Sequence, residues 1–229
     1  MLEIKYFLVK LKSEVLEQFN LNEFAQLTWY HGKIEVSNPN LTDKTLVAFV
    51  FWQSNYANHG GERYISKDEH VLNYFDRKFY IATAPLLGAT GLSGNVWTNL
   101  GNKIVQEKLF DNVILIPAEV GGISVKEWQD GGRLNRMLKE RLKDAKESKL
   151  NATYFLWHQG ENDNSLSGKQ YLDGINNVID LTKVYFPESK FLIPQASRCG
   201  LMPSSHEILN AQFQATQREG GLSDQILTI

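Results

Sequence analysis

The sequence predicts an α/β fold, a three-layer α/β/α sandwich built on a parallel sheet of about five strands. Three observations predict it. Short, nearly continuous apolar runs recur along the chain, as in strands that are buried on both faces of a parallel sheet. Segments with the 3.6-residue apolar period of amphipathic helices lie between those runs. Polar and glycine-rich clusters come directly after the runs, which is where an open α/β sheet holds its ligand.

The first run is Thr45–Trp52, and Asn112–Pro117, Thr153–Trp157, Lys190–Pro194 and Gln225–Ile229 repeat its character. Helical periods fall over Val96–Phe110, Leu134–Ala145, Gln170–Phe186 and Ile208–Arg218. Phe79–Ala82 reads as a further short strand with no assigned place in the sheet. Residues 1–44 are expected to form an appendage. Within Met1–Tyr30, the residues Ile4, Phe7, Leu8, Leu11, Val15, Leu16 and Phe19 make one apolar stripe of an amphipathic helix. Residues 31–44, with Asn38, Pro39, Asn40, Thr42, Asp43 and Lys44, read as a polar linker. The main domain then spans residues 45–229.

Composition narrows the function classes. A chain of 229 residues suits one compact domain with an appendage. The lone Cys199 makes neither an intramolecular disulfide nor a thiolate zinc cage. A net charge of -2, without blocks of like charge, provides no basic face for nucleic acid. No apolar run approaches the roughly 18–20 residues of a membrane span. Glu3 and the interleaved lysines interrupt what a signal peptide requires, so the reading favours the cytoplasm.

The residues after each run carry the chemistry. Ser54 lies just past the first run, where a sharp turn exposes a hydroxyl that attacks an acyl carbon once a base takes its proton. Gly121 and Gly122 lie past the second run and let a backbone N–H approach a substrate oxygen closely. Gln159 lies past the third and offers a side-chain amide donor. Taken singly, these are ordinary turn, loop and structural residues. Their coincidence at three strand ends points to acyl transfer.

Three blocks strengthen that reading: Trp52-Gln53-Ser54-Asn55, then Val120-Gly121-Gly122-Ile123-Ser124 with Trp128 beyond it, then Trp157-His158-Gln159-Gly160-Glu161-Asn162-Asp163. Their order resembles that of the SGNH hydrolases, an SGNH/flavodoxin-like fold, and in particular the sialate O-acetylesterase and acetylxylan esterase-like branch, carbohydrate esterase family 6. That branch usually has Gly-Gln-Ser-Asn in the first block and Trp-His-Gln-Gly-Glu-Ser-Asp in the third. The resemblance implies that Ser54 forms an acetyl-enzyme and that its own N–H, a glycine N–H at Gly121 or Gly122 and the Gln159 side chain hold the oxyanion. It implies that Glu161 and Asp163 brace the site, Glu161 being also a candidate for orienting a histidine. Gln53, Asn55, Asn95 and Asp163 are then substrate-side residues, and His158 a hydrogen-bonding support. The substrate implied is an acetylated carbohydrate or other small acetyl ester, with no cofactor, no metal and no nucleic-acid partner.

Two departures qualify the match. Trp52 stands where the branch has glycine. The branch also takes its base from a late Asp-x-x-His, whereas this sequence stops at Ile229 inside the expected last strand, so a C-terminally incomplete domain is expected. His31, His59, His70, His158 and His206 read as surface or structural residues. The rival function is a non-catalytic carbohydrate-binding domain on the same fold. A nucleotide site at Gly121-Gly122 lacks the flanking glycines or Gly-Lys-Ser/Thr that such loops carry.

Overall fold

The computed structural model describes residues 20–52, 57–67, 69–196, 198–199, 202–203 and 205–218. Its six-stranded sheet comprises β1 (Thr45–Trp52), β2 (Val71–Phe75), β3 (Lys78–Ile81), β4 (Asn112–Pro117), β5 (Tyr154–His158) and β6 (Lys190–Leu192). The spatial order is β3-β2-β4-β1-β5-β6. Every pairing is parallel except β2 with β3. A separate two-stranded ladder joins β7 (Arg198–Cys199) to β8 (Met202–Pro203). The α-helices among the described residues are α1 (Val96–Gln106), α2 (Asn135–Glu147), α3 (Gly168–Tyr185) and α4 (His206–Arg218).

β1 lies in the middle of the sheet because its side chains are apolar on both faces. Val47, Phe49 and Phe51 pack with Phe155, Trp157 and Phe191 under residues of α2, α3 and α4. Leu46 and Val50 pack with Val113, Leu115 and Trp97 on the α1 side. Phe49 stacks on Phe155 with ring centroids 4.9 Å apart, so the larger face is an aromatic core shared by neighbouring strands. Helix starts obey their sequence signals. The Asn95 side chain caps α1 by accepting from Thr98 N, and Ser167 with Gln170 forms a capping box on α3.

Several expectations change. β2 was not anticipated, because the polar Asn73 interrupts its apolar pattern; Asn73 is buried and spends its side chain on Leu87, accepting from its N–H at 2.7 Å and donating to its carbonyl at 3.2 Å. The short strand expected at Phe79–Ala82 is β3, Lys78–Ile81, joined to β2 by Asp76 and Arg77, both at positive φ. A two-residue turn of that kind usually carries Asn-Gly, so the hairpin has a weak signature.

Residues 20–30 do not continue a helix. Asn22 accepts from Phe24 N and Gln26 N, folding a tight turn, and Leu27 N donates to Ala89 O. Residues 34–36 also differ from the linker reading: Ile81 N donates to Ile34 O and Val36 N to Phe79 O, which covers the open edge of β3. The helical stripe within residues 1–19 and the strand expected at Gln225–Ile229 lie outside the described residues.

Candidate active site

The chain lays β2, β3 and β4 on one side of β1 and β5 and β6 on the other, so strand order reverses at β1. A crevice at such a reversal is the expected ligand position. Gln53, Ser54 and Asn55 come directly after β1 and lie outside the described residues. The register that sets Thr45 opposite Asn112 and Trp52 opposite His158 makes β4 and β5 the two parallel neighbours of β1, so the loops after them leave the same edge of the sheet.

Those two loops are bonded to each other. Gln159 Nε2 donates to Ile123 O at 2.9 Å and to Asp163 Oδ2. Asp163 Oδ2 also accepts from Val125 N at 2.9 Å, and Asn162 Nδ2 donates to Gly122 O at 3.0 Å. An amide has two N–H donors, so both hydrogens of Gln159 are engaged within the protein. The free amide donor expected of Gln159 is thus not what the structure presents. Its Oε1 is the atom left without a partner among the described residues.

The glycines divide in the same way. Gly121 N donates to Thr90 Oγ1 at 3.2 Å. Among the described residues the Gly122 N–H has no acceptor, and Gly122 has φ of 67° with no atom within 4 Å of where a Cβ would stand. Glycine is suited to that backbone and leaves the space beside it free of the other described residues. Of the two glycines, Gly122 carries the available donor.

Electrostatics at the β5 end are set by burial. Glu161 and Asp163 lie in one turn of 3-10 helix, and both are buried. Desolvation raises the Glu161 carboxyl above its usual range, with the Asp163 charge adding to it. His158 Nδ1 is 3.5 Å from Glu161 Oε1. Burial pushes the imidazole down to about 4, so it is neutral at neutral pH.

Asn95 lies in a buried polar cluster rather than on an open wall. Its Nδ2 donates to Asn58 Oδ1 at 3.4 Å, while Asn58 both accepts from Leu86 N and donates to Leu86 O. Trp97, in the helix that Asn95 caps, holds a further buried acid, Glu119, to which the sequence assigns no part in the site. It is fully buried, its Oε1 accepts from Trp97 Nε1 at 2.8 Å, and its Oε2 has no partner among the described residues. A glutamate just past a strand of six buried residues was the available signal. A cavity of about 370 Å³ lies elsewhere, between residues 22–28 and α2, and none of the expected site residues lines it.

Among the described residues, no group of three His, Cys, Asp or Glu side chains is placed to hold a metal ion, and no helix is long and apolar enough to cross a membrane.

Comparison with known proteins agrees with this geometry. No curated protein matches the chain. A crystal structure of an Arabidopsis thaliana protein is similar in fold, with 18% identity and a TM-score of 0.57 over 76% of this chain and 80% of that one. The family model described as carbohydrate esterase, sialic acid-specific acetylesterase, matches residues 50–196, from within β1 to Ala196 beyond β6. That span takes in the ends of β1, β4 and β5, and the chain belongs to this carbohydrate esterase family.

Proposed function

We propose that the protein is a serine esterase that removes O-acetyl groups from a carbohydrate through an acyl-enzyme. Ser54 Oγ attacks the acetyl carbon, and its proton passes to a base and then to the departing sugar oxygen. Water next attacks the acetyl-serine, releases acetate and restores the hydroxyl. Negative charge gathers on the acetyl oxygen in both steps. The Ser54 and Gly122 N–H groups receive that oxygen, each such donor being worth about 10²–10³ in turnover. Gln159 has a different part from the one its amide first suggests. By holding Ile123 O and Asp163 it fixes the loop that presents Gly122.

The observation that carries this reading is the Gly122 N–H, without an acceptor among the described residues, in the loop after β4 and within the residues matched to an esterase family. Gln53 and Asn55 stand on the substrate side, the buried Asn95 supports the start of α1, and Glu161 and Asp163 brace the turn. Hydrolysis of p-nitrophenyl acetate and of an O-acetylated sugar tests the proposal. Turnover by the protein and its loss in Ser54→Ala are expected; a fully active Ser54→Ala variant overturns it.

A further inference from the structure

Behind the β5 loop, a second set of bonds converges on one atom, the main-chain oxygen of Gln159. It accepts from Gln212 Nε2 at 2.5 Å and from Tyr171 Oη at 2.7 Å. Both lone pairs of that carbonyl are therefore used. Tyr171 Oη in turn accepts from Trp157 Nε1 at 3.3 Å and from Gln212 Nε2 at 3.2 Å, and Gln212 Oε1 accepts from Ala196 N at 2.9 Å. One fully buried side chain on α4 thus ties together the end of β5, the segment after β6 and the hydroxyl of an α3 tyrosine. All of its polar atoms are satisfied, which lets such a network rigidify what it touches.

The neighbouring glycine makes room for it. Gly160 has φ of 142°, and a Cβ there would lie 2.8 Å from Gln212 Nε2 and 3.0 Å from Ile208 Cγ2. Gln212 reaches the Gln159 carbonyl because the next residue has no side chain. From Gln159 the path continues into the site: its side chain holds Ile123 O and Asp163, and Asp163 holds Val125 N.

We propose that Gln212 is a positioning residue for the esterase site, fixing the Gln159–Asp163 turn through the Gln159 carbonyl and so the loop that presents Gly122, with Tyr171 as its partner. The proposal rests on the esterase reading for its effect on turnover, but not for its effect on the loops. Gln212 touches no substrate. Its contribution is orientation, and a misplacement of about 1 Å at a reacting centre costs up to about 10²-fold in rate.

The test compares wild type with Gln212→Met, which keeps the length and removes every hydrogen bond, and with Tyr171→Phe, which removes one donor to the same carbonyl. kcat and KM for p-nitrophenyl acetate are measured well below each Tm, together with amide hydrogen exchange at Val125 and Asp163. Expected for Gln212→Met is a kcat lower by about tenfold or more with KM changed less than about twofold. Exchange at Val125 and Asp163 quickens while exchange within β1 and β4 is unchanged. Tyr171→Phe shows the same pattern more weakly, and decides the matter if Gln212→Met does not fold. An unchanged kcat, or a lowered kcat without faster exchange at Val125, overturns the proposal. A wild-type protein without esterase turnover removes the functional reading alone, and the exchange result then decides whether Gln212 controls the loop.

Discussion

The Trp97 indole N–H donates to one carboxyl oxygen of Glu119 at 2.8 Å, and among the described residues the second oxygen has no partner in a fully buried site. A single neutral donor does not offset the loss of water around a carboxylate. Burial accordingly raises this carboxyl well above its usual range, and the indole bond lowers it only in part. Folding therefore takes up a proton here as pH rises above the unfolded value. Stability from this group is fully present below about pH 4.3 and is lost progressively as pH rises toward the folded value. Glu119→Gln keeps the acceptor for Trp97 and removes the charge. It should raise stability at pH 8 by about 1 kcal/mol or more and flatten the slope between pH 5 and 8. Urea unfolding across that range measures both.

Asn58 replaces a missing strand neighbour. Its side chain accepts from Leu86 N at 2.6 Å and donates to Leu86 O at 2.8 Å, and it is fully buried. Asn58→Leu leaves both main-chain groups without partners, at a cost of about 3 kcal/mol. Asn102→Ala removes a bond of 3.3 Å from an exposed amide to Ile65 O and should change stability by less than about 0.5 kcal/mol. The midpoints of urea unfolding separate the two.

Two glycines of the candidate site should respond differently to alanine. At Gly122 the φ of 67° is strained for alanine but the space is open, so Gly122→Ala should cost about 1 kcal/mol. The added methyl occupies that space, and acetyl turnover should fall by at least about tenfold. At Gly160 the Cβ meets Gln212 and Ile208 closely as well, so Gly160→Ala should cost about 2 kcal/mol or more. Thermal unfolding paired with p-nitrophenyl acetate kinetics distinguishes a blocked site from a weakened fold.

The buried sheet and the polar clusters at its strand ends were legible in the sequence. Thr45–Trp52 and Asn112–Pro117 match β1 and β4 at both ends, because strands covered on two faces are apolar throughout. β2 stayed hidden, since Asn73 satisfies its amide on the Leu87 main chain and interrupts the pattern. The turn at Asn22 is closed by its own neighbours, but the docking of Leu27 on Ala89 and the pairing of residues 34–36 with β3 depend on partners far along the chain, which local spacing does not reveal. In the site, residue types were legible but directions were not. Gln159 was recognisable as an amide at a strand end, yet its bonds to Ile123 and Asp163 are properties of the folded loops. Gln212 gave no local signal, because its partner is the carbonyl of a residue 53 positions earlier.

The central step of the proposed chemistry is the passage of an acetyl group through Ser54. Acid quenching during turnover of p-nitrophenyl acetate, combined with mass spectrometry of the peptide that carries Ser54, measures it directly. One acetyl group on Ser54 is expected in the wild-type protein, and neither that acetyl group nor turnover in Ser54→Ala. An O-acetylated sugar that binds without acetylating Ser54, or full turnover by Ser54→Ala, would contradict it.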